Sequence, residues 1–76
     1  MPGAFVFINT EMGAEDYVFN QLKNVSYVKE AYVSYGVYDL IIKVSTDNMD
    51  ELKEIVSHKI RSLDKVRSTL TLMMVE

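Results

Sequence analysis

The sequence predicts an α+β domain of the ferredoxin-like type, in which a four-stranded antiparallel sheet carries two helices on one face. Two observations support this prediction. First, apolar residues recur with a period of two in four segments and with a period of three to four in two others, in the order βαββαβ. Second, the first and third strand segments are apolar on both sides, as the two central strands of such a sheet must be.

The first strand and the first helix occupy the first third of the chain. Residues 4–10 are rich in Phe, Val and Ile and are apolar on both sides, which predicts a central strand. Residues 11–24 are predicted to form a helix, with Asn9 or Thr10 as its N-cap. The inward stripe of this helix repeats every four residues and comprises Ala14, Val18 and Leu22.

A hairpin forms the middle of the chain. Residues 28–35 and 38–44 are predicted to be its two strands, joined at Gly36, where a positive φ has no steric cost for glycine. Lys29 and Glu30 near the start of the first of these strands indicate an exposed sheet edge. The other strand is apolar on both sides and is therefore predicted to be central.

The second helix and the last strand complete the pattern. Residues 46–63 are predicted to form the helix, with Asp47 as its N-cap, and residues 66–75 the strand. The predicted buried face of the helix comprises Met49, Leu52, Val56, Ile60 and Leu63. The strand alternates between Leu70, Leu72 and Met74 on one side and Thr69, Thr71, Met73 and Val75 on the other.

The totals set limits on assembly and on partners. With 76 residues, residues 1–76 are expected to form a single domain, whose small core favours association with other copies. The chain has no cysteine, so it forms no disulfide, and its net charge of −3 argues against direct nucleic-acid binding. No apolar run approaches the ~20 residues that span a bilayer, and no signal peptide is evident. We therefore expect a cytoplasmic protein without membrane contact.

Both sides of the sheet are predicted to be apolar, although the helices cover only one. One side is expected to combine Phe5, Phe7, Tyr32, Ile41, Met73 and Val75. Alternation alone leaves open which side lies under the helices. In either case a large apolar patch remains, and monomers rarely expose such a patch. We therefore predict a homodimer with sheet packed against sheet; the alternative is a half-solvated sheet.

The residues that carry most enzyme chemistry are sparse. His58 is the only histidine, so no histidine pair can bind a metal, and its position in the second helix predicts a solvated side chain. The glycines are isolated, which rules out a glycine-rich phosphate loop. The sequence therefore predicts no enzyme activity, no metal and no cofactor.

Asp39 is the one acidic residue in a run that is otherwise suited to a strand. In a structural interpretation, its carboxylate accepts backbone N–H groups and stabilises the hairpin. In a functional interpretation, it binds a small cationic group such as an α-amine at a subunit edge, with Tyr35 and Tyr38 as walls. Both interpretations remain open. Ser68, Thr69 and Thr71 also carry hydroxyl groups in a strand, and we favour the interpretation that they are ordinary strand residues.

Residues 36–44, Gly-Val-Tyr-Asp-Leu-Ile-Ile-Lys-Val, resemble the Gly-x-Tyr-Asp-hydrophobic motif in the effector domain of the Lrp/AsnC transcription regulators. The neighbouring strands, the acidic start of the second helix and the Ser-Thr-x-Thr segment of the last strand align in the same order, so the resemblance covers essentially the whole chain. It implies a βαββαβ domain that dimerises through its sheets and assembles into rings, commonly octamers. It also implies that small effectors, mostly amino acids, bind between dimers.

The resemblance further implies a ligand site at the hairpin turn. The residues that match are Gly36, Tyr38 and Asp39, with Tyr35 and Val37 as neighbours and Ser68 and Thr69 from the last strand. Regulators of this family carry an N-terminal helix-turn-helix that reads DNA, whereas this chain starts at the first effector-domain strand. We therefore expect an amino-acid sensor that modulates transcription through full-length Lrp/AsnC partners or acts as a free sensor.

Two other functions fit the same fold. One is a small cofactor-free enzyme of the dimeric ferredoxin-like barrel type, and the other is an ACT-like regulatory module. The barrel enzymes usually need polar residues in a pocket under the sheet, whereas these strands are nearly all apolar. The Gly-x-Tyr-Asp turn and the implied ring assembly favour the sensor.

Overall fold

The computed structural model describes residues 2–74 and confirms the predicted βαββαβ order. The elements are β1 (Gly3–Thr10), α1 (Glu15–Leu22), β2 (Val28–Val33), β3 (Leu40–Ser45), α2 (Met49–Glu54) with a π-helical continuation (Ile55–Lys59), and β4 (Val66–Met74). The strands form one antiparallel sheet in the order β2-β3-β1-β4. The two central strands are therefore β1 and β3, as their doubly apolar sequences predicted. No helix among residues 2–74 is long and apolar enough to cross a membrane.

The core lies between the sheet and the two helices. Alternate residues of β1 are buried, and so are their partners on β3. The register places Val6 opposite Ile42 and Ile8 opposite Leu40. The helices close this layer with Val18, Leu22, Leu52, Ile55, Val56 and Ile60. Each fully buried aliphatic side chain of this kind contributes about 1.5–3 kcal/mol. The predicted stripe of α1 is confirmed, since all three of its members are buried.

Helix α1 begins later than predicted. Gly13 adopts a φ of 78°, in the left-handed region that an α-helix does not use. The Glu11 N–H donates a hydrogen bond to the carbonyl of Lys65 at 2.9 Å, so this segment is a connection between elements. The prediction of Asn9 or Thr10 as N-cap is wrong because both residues belong to β1. No side chain caps α1.

The N-cap of helix α2 lies one residue later than predicted. Asn48 has the extended backbone typical of an N-cap, and its Oδ1 accepts a hydrogen bond from the Glu51 N–H at 2.8 Å. The prediction of Asp47 as the cap is therefore wrong. The two residues are chemically equivalent caps, and the backbone conformation decides between them.

The buried face of the second helix differs from the prediction at two positions. Met49 is 39% exposed, because it occupies the first helical position, beyond the sheet. Ile55 is buried instead, at the start of the π-helical segment, where the Ile60 N–H bonds the Ile55 carbonyl at 3.0 Å. The remaining predicted members are buried or partly buried: Leu52, Val56, Ile60 and Leu63.

The hairpin loop, residues 34–39, is longer than the predicted turn. Both flanking strands are shorter than predicted, since β2 ends at Val33 and β3 begins at Leu40. The Ser34 N–H donates to the Asp39 carbonyl at 2.8 Å and closes the loop. Gly36 has a φ of 126°, so a glycine is required at the turn, as predicted. The loop tip is fully in solvent.

The sheet face opposite the helices, called here the open face, is apolar. Its members are Phe5, Phe7, Tyr32, Ile41, Leu70, Leu72 and Met74. The expected placement of Met73 on this face is wrong. The β1–β4 register sets Met73 opposite Ala4, which faces the helices, and Leu72 opposite Phe5. Directly opposed residues share a face, so β4 contributes its leucines here. Val75, also expected on this face, lies outside the described residues.

Candidate functional site

Asp39 ends the hairpin loop and is bound to the last residue of β1. Its Oδ2 accepts a hydrogen bond from the Thr10 N–H at 2.9 Å. The Thr10 hydroxyl lies 3.3 Å from the same oxygen and 3.2 Å from the Glu11 carbonyl, so its proton is shared between them. The Asp39 N–H in turn donates to the Ile8 carbonyl at 3.0 Å. Asp39 thus accepts a backbone N–H, as its structural interpretation predicted, but the donor belongs to β1.

The second carboxylate oxygen of Asp39 has no hydrogen bond from residues 2–74. No Lys, Arg or His within that part of the chain forms a salt bridge with it. The Thr10 contacts therefore hold the carboxylate in one orientation while Oδ1 remains able to accept a hydrogen bond. This geometry is compatible with both interpretations of Asp39.

The tyrosines predicted as walls have different environments. The ring of Tyr38 packs on Phe7 with ring centroids 5.6 Å apart and planes inclined at 59°, which joins Tyr38 to the open face. Tyr35 is 97% exposed and Val37 is 81% exposed, on either side of Gly36 at the loop tip. A single protomer therefore offers one wall beside Asp39, while the tip residues project into solvent.

Ser68 and Thr69 point to opposite faces of the sheet. Ser68 pairs with Asn9 and lies on the open side, whereas Thr69 pairs with Ile8 and faces the helices. Ser68 and Asn9 therefore lie at the end of the sheet where Thr10 binds Asp39, whereas Thr69 points to the other face. Asn9 was not predicted as a site residue, although its alternation with Phe5 and Phe7 places it on the open side.

A charged network crosses the open face away from the hairpin loop, on strands β2 and β3. Lys43 Nζ lies 3.8 Å from Glu30 Oε2 and 5.9 Å from the centroid of the Phe5 ring. Tyr32 donates its hydroxyl hydrogen to Glu30 Oε1 at 2.9 Å. This hydrogen bond, together with the negative charge of Glu30, raises the pKa of Tyr32. The face therefore carries one polar cluster within an apolar surface.

A groove lies on the other side of the sheet, between the second helix and the edge strand β4. Its volume is about 370 Å³, and this α2–β4 groove is lined by Lys53, Val56, Ser57, Arg61, Thr69, Leu70, Thr71 and Met73. It contains Thr69 but none of the hairpin residues. His58 is exposed, as predicted, and its Nδ1 lies 3.5 Å from Glu54 Oε1. Residues 2–74 bring together no group of three His, Cys, Asp or Glu side chains suited to a metal ion.

Comparison with known proteins assigns the fold and the hairpin to a family. The family model described as the Lrp/AsnC ligand binding domain matches residues 3–76. This chain belongs to the Lrp/AsnC family. The regulatory protein AsnC of Escherichia coli K12 is 33% identical over 76 residues, which cover 97% of this chain and 49% of AsnC. The chain thus spans about half the length of the curated AsnC proteins that it matches.

Solved structures share the whole fold of this Lrp/AsnC domain. FFRP-DM1 superposes with a TM-score of 0.94 and 40% identity, covering 99% of this chain and all of that one. The hypothetical protein PHS023 from Pyrococcus horikoshii gives a TM-score of 0.92 and 39% identity over all of this chain and 92% of its own. E. coli AsnC gives 0.88 and 29% over 99% of this chain and 51% of its own.

Membership of the Lrp/AsnC family defines the general function. The matched domain is a ligand-binding domain of transcription regulators, and the similar curated proteins are named as regulatory proteins. The resemblance read from the sequence is therefore confirmed. The ligand-binding roles of individual residues stay predictions for Tyr35, Gly36, Val37, Tyr38, Asp39, Ser68 and Thr69.

Proposed function

We propose that this domain binds an amino-acid effector at the hairpin loop and passes its presence to transcription regulators of the AsnC type. One observation carries the proposal. Asp39 is a carboxylate with one oxygen held by Thr10 and the other without a hydrogen bond from residues 2–74, beside the aromatic pair Tyr38 and Phe7. An amino acid supplies the matching chemistry, an α-ammonium group for the carboxylate and a side chain that can lie against the aromatic pair.

The Thr10 contacts prepare Asp39 for this role. A carboxylate whose orientation is already set loses little freedom when a ligand arrives, so more of the interaction energy appears as affinity. Oδ1 accepts a hydrogen bond from the α-ammonium group, and this charge-assisted bond is stronger than a neutral one. The Tyr38 ring, held against Phe7 at a centroid distance of 5.6 Å, covers one side of the ligand.

A second chain completes the site in this proposal. Small ligands are typically buried over ~70–90% of their surface. One protomer alone does not enclose a ligand in this way, since Tyr35 at the loop tip is 97% exposed. We propose a homodimer through the open face, because Leu70 and Leu72 are about half exposed next to Phe5 and Phe7. Dimers then associate into a ring, an octamer or similar, in which the hairpin loops of one dimer meet another dimer.

The signal reaches DNA through other proteins in this proposal. A net charge of −3 disfavours direct binding to a phosphate backbone. Mixed assembly with full-length Lrp/AsnC regulators, in the cytoplasm, lets the effector change the assembly that carries the DNA-binding parts. This role needs only an effector site and an interface.

The test combines thermal unfolding with native mass in the presence of each standard amino acid. A ligand that binds only the folded state raises the unfolding midpoint by mass action. We expect one amino acid, or a few related ones, to raise the midpoint of the wild type and to stabilise or resize its ring. Asp39→Asn removes the charge and is expected to abolish the response. Asp47→Asn, an exposed aspartate outside the loop, is the matched control. A midpoint and a mass that no amino acid changes would refute the proposal.

A further inference from the structure

The α2–β4 groove is built from two facing rows of side chains. Lys53 and Ser57 lie four residues apart on the second helix, and Arg61 follows four residues later, just after the π-helical segment ends at Lys59. Thr69 and Thr71 alternate along β4 on its helix-facing side, opposite Ile8 and Val6 of β1. Strands β3 and β4 are both antiparallel to β1 and therefore run in the same direction. The second helix connects them and runs in the opposite direction, so Arg61, just after its end, comes close to Thr69 near the start of β4. These two residues also line an adjoining cavity of about 150 Å³ with Arg67 and Ser68.

The π-helical segment forms the middle of the helical row. Its Ile60-to-Ile55 hydrogen bond spans five residues, so this turn is wider than an α-turn. Ser57 lies in this segment, between Lys53 and Arg61 in the chain, and buried Val56 forms the floor of the groove. Segments of this kind occur mostly as single turns and frequently at functional sites.

The charge of the groove is positive and uncompensated. No Asp or Glu lines it, and neither Lys53 nor Arg61 forms a salt bridge within residues 2–74. Residues 55–74 contain four Lys or Arg residues and one acid, in a chain whose net charge is −3. Three hydroxyls, from Ser57, Thr69 and Thr71, add hydrogen-bond donors. Cations and hydroxyl donors without carboxylates are the groups that bind an anion.

We propose that the α2–β4 groove is a second ligand site, which binds a small anion with an apolar tail. The head group is a carboxylate or a phosphate, which the guanidinium fork of Arg61 contacts together with the hydroxyl of Thr69. The tail lies on Val56 and Met73, toward the Lys53 end of the groove. A volume of about 370 Å³ is within the usual range of small-molecule sites.

This site is separate from the hairpin site. The groove is lined by residues 53–61 and by β4 and contains no residue of the hairpin loop, whereas Asp39 is bound to Thr10 at the end of β1. A dimer formed through the open face leaves the groove uncovered. Thr69 then serves this site and not the hairpin site. The proposal stands whether or not an amino acid binds at the hairpin.

The test is an NMR titration of the isotope-labelled chain with isovalerate, inorganic phosphate and the neutral isovaleramide. We expect isovalerate to shift the amide signals of Ser57, Thr69 and Thr71, and isovaleramide to leave them unchanged. If phosphate shifts the same amide signals, the site also accepts phosphate head groups. If phosphate has no effect, the site is specific for carboxylates. Unchanged groove signals with both anions would overturn the proposal, as would equal binding of the neutral amide.

Two variants separate a built site from general attraction to positive charge. Arg61→Gln is expected to weaken isovalerate binding about tenfold or more, because a charge-assisted hydrogen bond is lost. Lys59→Gln removes the same charge two residues earlier, from an exposed position outside the groove, and is expected to bind as the wild type does. Equal weakening in the two variants contradicts the proposal. So does a response confined to the amides of Gly36 and Asp39, which would place isovalerate at the hairpin.

Discussion

The two faces of the sheet carry similarly apolar side chains but have different surroundings. On the helix side, Val6, Ile8, Leu40 and Ile42 are at most 1% exposed. On the open face, Tyr32, Leu70 and Leu72 are between 46% and 55% exposed. The chain supplies a cover for one face only. Folding therefore depends on the helix side of the sheet and the proposed dimer on the open face, so we expect mutations on one side to have little effect on the other.

The strongest test of this separation uses neighbouring isoleucines of β3 that point to opposite faces. Ile42→Ala leaves a cavity under the helices and is expected to lower the free energy of unfolding by about 2–5 kcal/mol. Ile41→Ala, on the open face, is expected to cost less in dilute solution, because Ile41 is only partly buried. Denaturant unfolding of both variants measures the difference. Equal losses of unfolding free energy in the dilute monomer would show that the two faces contribute equally to folding.

A charge on the open face tests its role in assembly. Ile41→Glu places an unpaired carboxylate in the proposed dimer interface and is expected to weaken dimerisation by about 3 kcal/mol or more, a hundredfold or more in affinity. Ser57→Glu adds the same charge to an exposed position on the helix side and serves as the control. Sedimentation velocity over a range of concentrations distinguishes them. A native mass that stays the same in Ile41→Glu would rule out sheet-to-sheet packing.

Asp39 links the end of the hairpin loop to the last residue of β1, and its removal is expected to have an intermediate effect. Asp39→Ala deprives the Thr10 N–H of its acceptor, at a cost of about 1–3 kcal/mol in unfolding free energy. Thr10→Val removes only the shared hydroxyl and is expected to cost less. Thermal unfolding and native mass measure stability and assembly together. If Asp39→Ala leaves stability unchanged, the Thr10 contacts contribute nothing to the fold.

The smallest expected effect concerns the pH dependence of Tyr32. The hydrogen bond to Glu30 and the charge of Glu30 raise the pKa of Tyr32. The folded state thus favours the protonated phenol, so this contribution to stability is present below the ordinary tyrosine pKa and is lost as the pH rises through the raised one. Glu30→Gln is expected to return the pKa toward its ordinary value in an NMR titration of the tyrosine ring. A pKa that does not move would show that Glu30 is not its cause.

Local patterns predicted most of the fold. The central positions of β1 and β3 follow from apolar residues on both sides of each strand, which is visible within eight residues of sequence. The faces of β4 depend on its register with β1, and a shift of one residue exchanges Leu72 and Met73. The start of α1 depends on the backbone of Gly13, for which the apolar stripe gives no signal.

The candidate site was also only partly predictable, because some of its contacts depend on the tertiary fold. Asp39 stands out because a carboxylate interrupts an apolar strand, and this signal is local. Its partner Thr10 lies 29 residues earlier, and only the tertiary fold brings them together. The opposite orientations of Ser68 and Thr69 follow from strand alternation, which separates two residues that the resemblance placed in one site. The groove combines residues from two elements and has no sequence motif.

In the proposed dimer, Lys43 restricts which chains can pack on the open face. Its ammonium group lies on this face, beside Glu30 and above the ring of Phe5. In that dimer, a sheet that packs here meets the Lys43–Glu30 pair, whose Nζ and Oε2 lie 3.8 Å apart. A lysine or arginine at the facing position then lies close to Lys43, and like charges placed opposite one another lower affinity. We therefore expect the proposed open-face interface to disfavour mixed dimers with relatives that carry a basic residue at that position.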